Sequence, residues 1–124
     1  MKNSAYVPPR QLATLTEEQQ AKIDEIFETM PKTYEQDGLG DEAVAHFHYM
    51  VETPNGHTCH WFITEKDMEE PQYQAFGLVR LHNWPSELGY ISLVEVCEID
   101  NMRLDLDFKP TTLSQIYATY LQAA

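Results

Sequence analysis

Two strand-like runs separated by a turn cluster constrain the fold of this sequence more than any other feature. AVAHFHYMV (43–51) and HTCHWFITE (57–65) are rich in β-branched and aromatic residues, and the residues between them, ETPNG (52–56), are turn formers. Segments of this length and composition form strands, and a short connection that contains Gly joins them as a β-hairpin. An antiparallel hairpin therefore lies within the predicted fold.

The loop length of this hairpin decides which side chains share a face, because a slip of one residue exchanges the two faces of a strand. A two-residue loop at 55–56, the commonest kind, sets the aromatic residues of the first run on the same face as His60. A loop of three or five residues instead gathers the apolar side chains on one face: Phe47, Tyr49, Val51, Cys59, Trp61 and Ile63. We predict this second arrangement, which places His46, His48 and His60 together on the opposite face.

The clearest helix signal begins at Thr16. Thr16 and Gln19 have the spacing of a capping box, and Glu17 and Glu18 occupy the first turn, where the helix dipole favours negative charge. Apolar residues then follow at helical spacing: Ile23, Ile26, Phe27 and Met30. The pattern predicts an amphipathic helix that ends near Met30, because a proline follows.

Three further segments complete the predicted sheet. QAFGLVRLH (74–82) alternates little, which is typical of a central strand covered on both faces, and Gly77 within it indicates close approach of another backbone. LGYI (88–91) predicts a short strand. MRLDLDFK (102–109) alternates strictly between apolar and charged residues, which predicts a half-exposed edge strand.

Two more helices are predicted in the second half of the chain. Ser92 and Glu95 have capping-box spacing, so we expect a short helix near 92–98, and Thr111 or Thr112 caps a last helix. The apolar stripe of that last helix is Leu113, Ile116, Tyr117 and Tyr120. The predicted fold class is α+β: an antiparallel sheet of about five strands with an N-terminal helix, the short helix and the C-terminal helix packed on it.

The chain of 124 residues has the length of a single domain. We assign 15–124 to one α+β domain and 1–14 to an extended N-terminal arm. Pro8 and Pro9 are expected to hold Tyr6 out of a helix and to favour a polyproline-like path for the arm.

Charge narrows the classes of function. The 20 Asp and Glu residues against 8 Lys and Arg residues give a formal net charge of −12. Nucleic-acid binding needs a basic face to displace counterions from phosphate, and anionic membranes attract basic segments, so direct binding to either is disfavoured. The first ten residues lack the apolar core of a signal peptide, and the two cysteines make no disulfide scaffold, which predicts a cytoplasmic protein.

Five pieces of the sequence form a recognisable series within residues 20–116. They are MPKTY (30–34), HWFITE (60–65), FGLV (76–79), ELGYISLVEV (87–96) and LDLDFKPTTLSQI (104–116). In this order they resemble a family of small proteins of bacteria, plasmids and phages that is called domain of unknown function 2958. The most specific pieces are FGLV, the ELGY-x-SL after it, and the D-x-x-P-T-x-L ending from Asp107 to Leu113.

The resemblance implies a compact α+β domain that often resides on mobile elements, sometimes beside antirestriction genes. It supplies no catalytic residues, and the histidine pair in AHFHYM (45–50) is not part of the family pattern.

The acidic residues carry the main functional hypothesis. An acidic surface is steered toward basic ones, and nucleic-acid enzymes have basic surfaces. We therefore expect a non-enzymatic binding protein of a mobile element, without a cofactor. It would inhibit a defence nuclease of the restriction or CRISPR type by imitating DNA on the partner's basic surface. The candidate partner-binding residues are Glu17, Glu18, Asp24, Glu25, Glu28, Glu35, Asp37, Glu69, Glu70 and Tyr73.

Enzymatic alternatives centre on the hairpin. His46, His48 and His60 could hold zinc with an open fourth position, as in a small metal-dependent enzyme, although they also fit as polar residues on the less buried face. Cys59 beside a histidine could act as a nucleophile only if its thiol were exposed and its pKa lowered. We interpret both cysteines as buried structural residues.

Two readings remain for the alternating segment near the C-terminus. Asp105 and Asp107 share its charged face, and we expect them to be solvated and not a catalytic pair, which would need a pocket. The same edge strand, 102–109, also allows a self-associating structural module, so a homo-oligomer is an open alternative.

Overall fold

The structure, a computed structural model, describes residues 4–67, 74–82 and 84–120. Its helices are α1 (Pro9–Leu12), α2 (Glu17–Thr29), α3 (Leu93–Glu98) and α4 (Leu113–Thr119). Its strands are β1 (Val44–Ala45), β2 (Phe47–Glu52), β3 (Thr58–Glu65), β4 (Gln74–Leu81), β5 (Glu87–Ser92), β6 (Arg103–Leu104) and β7 (Thr111–Thr112). Single 3-10 turns cover Ser4–Tyr6 and Gly40–Glu42. Among these helices, none is long and apolar enough to cross a bilayer.

The main sheet is antiparallel and has five strands in the order β5-β4-β3-β2-β6. A second, two-stranded sheet pairs β1 with β7. Together with helices near both ends of the chain, this confirms the predicted α+β fold class.

The hairpin has the register that the apolar residues predict. Phe47 pairs with Ile63, and Tyr49 pairs with Trp61, so the apolar side chains share one face. Five residues separate β2 from β3, and the loop closes through a hydrogen bond from Thr53 N to His57 O of 2.7 Å. Packing of the apolar face therefore outweighs the general preference for a two-residue loop.

β4 lies inside the sheet between β3 and β5, as its weak alternation predicts. A Cβ atom at Gly77 would collide with the backbone carbonyl of Phe62 on β3, which confirms the predicted close approach. A larger residue at this position would push the two central strands apart.

Each face of the main sheet carries its own core. The first face packs against α2, α3 and the N-terminal segment, and its largest fully buried side chains are Phe27 and Tyr49. On the second face, Phe62 and Leu78 pack against Phe108 and the α4 residues Leu113 and Ile116.

The helix caps are formed as predicted. Thr16 and Gln19 make both bonds of the capping box, at 3.1 and 2.9 Å, and α2 ends directly before Met30. Ser92 caps α3, and Thr112 caps α4 by accepting the backbone N–H of Gln115.

The extended path predicted for residues 1–14 is wrong for the part that the structure describes. Residues 4–6 form a 3-10 turn, and α1 begins at Pro9, whose fixed φ suits the first turn of a helix. Tyr6 and Val7 belong to the first core, and Tyr6 stacks on Phe27 with ring centroids 4.6 Å apart. This segment therefore packs as part of the domain.

The strand predicted over 102–109 is also wrong beyond β6. The burial alternation holds in part: Met102, Leu104 and Phe108 are buried, whereas Leu106 is only half-buried, like Asp105. The backbone leaves the sheet at Asp105, however, because the Asp105 carboxylate accepts the backbone N–H of Asp107 at 3.0 Å and forms a local turn.

Candidate functional site

The predicted acidic residues of α2 lie on the side of the helix away from the core. At 100° per residue, the five carboxylates of α2 fall within an arc of about 120°, opposite the buried Ile23 and Phe27. Four of them, Glu17, Glu18, Glu25 and Glu28, are exposed, and Asp24 is half-buried. We call these five residues the acidic arc.

The other predicted partner-binding residues separate from one another. The carboxylate of Glu35 accepts the backbone N–H of Lys32 at 3.0 Å, and Asp37 lines a groove on the second face of the sheet. Glu69, Glu70 and Tyr73 lie outside the described residues.

The groove that Asp37 lines is a cavity of about 430 Å³ between the 33–40 loop, β3, β4, β5 and α4. Its walls include Tyr34, Asp37, Glu65, Phe76, Leu88 and Leu113. We call it the Glu65 groove. Among the described residues, none with a basic side chain lines it, while two acidic ones do.

Glu65 is an unusual wall residue because it is a buried acid, only 6% exposed. Its Oε1 accepts the backbone N–H of Gln36 at 3.5 Å, and its Oε2 accepts the hydroxyl of Thr64 at 3.3 Å. Both distances are long for hydrogen bonds to a carboxylate. The pairing of β3 with β4 shifts register between Ile63 and Glu65, and such bulges redirect side chains next to functional sites.

Gln36 fixes the loop that covers the groove. Its buried side-chain amide donates to Val44 O at 2.9 Å and to Thr64 O at 2.8 Å, and its Oε1 accepts the backbone N–H of Val44 at 2.7 Å. These three bonds connect the loop to both β1 and β3.

Tyr34 lines the groove, and Tyr90 is its hydrogen-bonded neighbour. Their hydroxyls, on Tyr34 and Tyr90, lie 2.9 Å apart, and both side chains are exposed. The hydrogen bond with Tyr34 raises the pKa of Tyr90, and the charge of Glu65 adds a smaller increase. Tyr34 has a φ of 77°, a left-handed conformation that a bulky residue adopts only when its surroundings hold it there.

The histidines of the hairpin form a hydrogen-bonded chain with an aspartate. His48 Nδ1 lies 3.0 Å from Asp105 Oδ2, and His48 Nε2 lies 2.8 Å from His60 Nδ1. The carboxylate can only accept, so His48 donates from Nδ1 and accepts at Nε2 from His60. Asp105 is therefore engaged, and the expectation that it is fully solvated is wrong.

The imidazoles of His48 and His60 are both neutral near pH 7. Burial lowers the pKa of His48, although Asp105 opposes that change. Burial, together with the charges of His48 and Arg80, lowers the pKa of His60 to about 4. The rings pack against Phe62 and Tyr120. Within the described part of the chain, no residue is hydrogen-bonded to the outer nitrogen of His60, Nε2, which can accept a proton or bind a ligand.

His46 does not join this chain. It lies between β1 and β2, makes no hydrogen bond or ring contact with His48 or His60, and lines a separate cavity beside α2. Over the described ranges, no group of three His, Cys, Asp or Glu side chains is arranged to hold a metal ion. His46 therefore does not contact the other two histidines of the predicted face, and the metal alternative stays a prediction.

The cysteines are buried and free. Burial raises the pKa of Cys97 to about 12, so its thiol is protonated. Cys59 is packed in the first core on the face opposite His60. This placement favours the structural interpretation of both thiols over the nucleophile alternative.

Comparison of the chain with protein-family models, curated proteins and solved structures returned no significant match. The resemblance to domain of unknown function 2958 stays a prediction.

Sequence reasoning did not single out Glu65 or Gln36. The signal for Glu65 is weak: a Thr-Glu-Lys run that ends an apolar strand. Polar residues at a strand end are ordinarily solvated, and the bulge that buries Glu65 has no sequence mark of its own.

Proposed function

We propose that this chain is a non-enzymatic binding protein that docks its acidic arc on a basic surface of a protein partner. In its finer form, the partner is a defence nuclease of the restriction or CRISPR type, and the arc competes with the DNA backbone for its basic channel. The protein would act in the cytoplasm and be encoded by a mobile element.

The acidic arc is the observation that carries this proposal. It groups five carboxylates on one face of α2, and Lys22 is the only basic residue of that helix. Regularly placed charges on a rigid helix complement a basic surface at little cost in conformational entropy.

The test is a pull-down from host lysate at low and high salt, with a variant that reverses three charges of the arc: Asp24→Lys, Glu25→Lys and Glu28→Lys. We expect the wild type to capture a nucleic-acid enzyme at low salt and to release it at high salt. The reversed variant should bind the captured enzyme at least tenfold more weakly, and the wild type should displace DNA from it.

A second triple variant controls for net charge. Glu52→Lys, Glu98→Lys and Asp100→Lys change exposed acids away from α2 by the same total charge. If both variants bind equally, or if no basic partner is captured at either salt, the proposal is wrong.

The Asp105–His48–His60 chain favours a second candidate, the small metal-dependent enzyme. Asp105 orients His48, and His48 in turn holds His60; outer partners of this kind commonly support a metal ligand, and His60 Nε2 would be that ligand. Zinc that is retained after dialysis, and lost in a His60→Gln variant, would support it. Protein purified without chelator that holds no metal would count against it.

A further inference from the structure

We propose that the Glu65 groove is a receptor for one arginine side chain of the basic partner. The inference rests on the proposed function and deepens it, because it adds a pocket for a single residue to a charged docking face. The residues of the acidic arc do not line the Glu65 groove, so the two surfaces can be tested separately.

The charge of the groove selects a cation. Asp37 and Glu65 both line it, and the described lining includes no basic residue. From the residues that the structure describes, the Glu65 carboxylate, with about four acceptor positions, receives two long hydrogen bonds and therefore has capacity for further donors. A ligand that brings N–H donors and a positive charge would satisfy Glu65.

The walls select the guanidinium group among cations. Two aromatic residues, Tyr34 and Phe76, line the groove, and Tyr90 packs edge to face on Phe76 with ring centroids 5.6 Å apart. A planar guanidinium stacks on such rings and offers paired donors to a carboxylate, whereas an ammonium group is more strongly hydrated and loses more on leaving water.

The size and apolar part of the groove fit a long side chain. A cavity of about 430 Å³ is within the range that holds a small ligand. Leu88 and Leu113 line it, and they can contact the methylene groups of arginine while its charged end reaches Glu65.

The experiment is an NMR titration of the full chain with Nα-acetyl-arginine N-methylamide. We expect saturable shifts at the backbone amides of Tyr34, Glu65 and Leu88, with a dissociation constant on the order of 1 mM. The neutral, isosteric citrulline derivative should bind at least tenfold more weakly. Absence of saturable shifts, or equal binding of the citrulline derivative, would overturn the inference.

Glu65→Gln keeps the shape of the side chain and removes its charge. It should weaken binding of the arginine probe at least tenfold, while Glu98→Gln, at an exposed site on α3, should leave binding unchanged. Equal weakening by both variants would show a general charge effect and would also overturn the inference.

The two proposals can fail independently. The acidic-arc variant with Asp24, Glu25 and Glu28 reversed should still bind the arginine probe, because those residues do not line the groove. If the probe binds normally but no basic partner is captured, the proposed function fails and the groove stands as a guanidinium site. If a partner is captured but the probe does not bind, the groove inference alone fails.

Discussion

The imidazoles of His48 and His60 are joined by a 2.8 Å hydrogen bond, and the buried His48 is also hydrogen-bonded to the half-buried carboxylate of Asp105. Each ring lies where its protonated form is disfavoured, and burial is the main cause for both. Two adjacent histidines that stay neutral in the folded state make the stability of this protein sensitive to acid.

The pH dependence of unfolding should therefore change when His60 is replaced. The pKa of His60 is about 4 in the folded state and near its usual value of 6.5 in the unfolded state. The unfolded state binds more protons than the folded state between these two pH values. The contribution of neutral His60 to the free energy of unfolding is therefore fully present above pH 6.5 and is lost as pH falls toward 4. His60→Gln should reduce the proton uptake on unfolding by about one near pH 5.

Urea unfolding of the wild type and of His60→Gln between pH 4 and pH 8 measures this uptake. The free energy of unfolding should fall more steeply with acid in the wild type. Parallel curves for the two proteins would show that His60 titrates alike in both states and would contradict the prediction.

Gly77 and its cross-strand neighbour Gly89 give a matched pair for the packing of the central strands. They are opposite each other on β4 and β5, but only Gly77 faces a close backbone atom, the carbonyl of Phe62. Gly77→Ala should lower the free energy of unfolding by about 2–4 kcal/mol, because backbone must move to make room. Gly89→Ala, which meets nothing within 4 Å, should change it by less than about 1 kcal/mol.

Denaturant unfolding of both glycine variants is the measurement. If Gly77→Ala and Gly89→Ala had the same midpoint, the close approach of β3 and β4 would not be a constraint on position 77.

Gln36 should matter for the groove far more than its place in a loop suggests. Gln36→Ala removes three hydrogen bonds, one buried and two part-buried, and leaves partners on Val44 and Thr64 unsatisfied. We expect a loss of about 2–4 kcal/mol in the free energy of unfolding. Gln115→Ala, an exposed change on α4, should stay within about 0.5 kcal/mol.

Hydrogen exchange at Val44 gives a second, local readout. Its backbone N–H donates to the side chain of Gln36 and should exchange faster in Gln36→Ala. Unchanged exchange at Val44 together with wild-type stability would show that the loop is held by other contacts.

Short-range rules accounted for much of the fold. The caps at Thr16 and Ser92 depend on residues three apart, and the hairpin register depends on one apolar face. Both features can therefore be predicted from the sequence. The close approach at Gly77 could be predicted as well, because a glycine inside an apolar strand often marks a position where another backbone lies close.

Long-range contacts account for most of the remainder. Asp105 meets His48 across 57 positions of sequence, and no local pattern specifies that pair. The bulge that brings Glu65 into the groove depends in the same way on the pairing of β3 with β4. The sequence carried a signal for the path of the N-terminal segment, but the prediction was wrong, because Pro9 can begin a helix as readily as it can extend a polyproline path.

That N-terminal segment leads to the last prediction. The hydroxyl of Tyr49 donates to the carbonyl of Tyr6 at 2.6 Å, and the amide of Gln11 both donates to and accepts from Leu104 at 2.7 Å. Together with the buried side chain of Val7, these contacts make the segment part of the core. Removal of residues 1–14 should therefore destabilise the domain, since Tyr6 and Val7 alone contribute about 1.5–3 kcal/mol each.

Tyr49→Phe is a milder variant that tests the same packing as the truncation. It removes one hydrogen bond and keeps the ring, so it should cost about 1–2 kcal/mol, clearly less than the truncation. Denaturant midpoints of the wild type, Tyr49→Phe and the truncated chain should fall in that order. A truncated chain as stable as the wild type would contradict the packing of this segment into the core, whereas the expected order places the start of the folded domain before Tyr6.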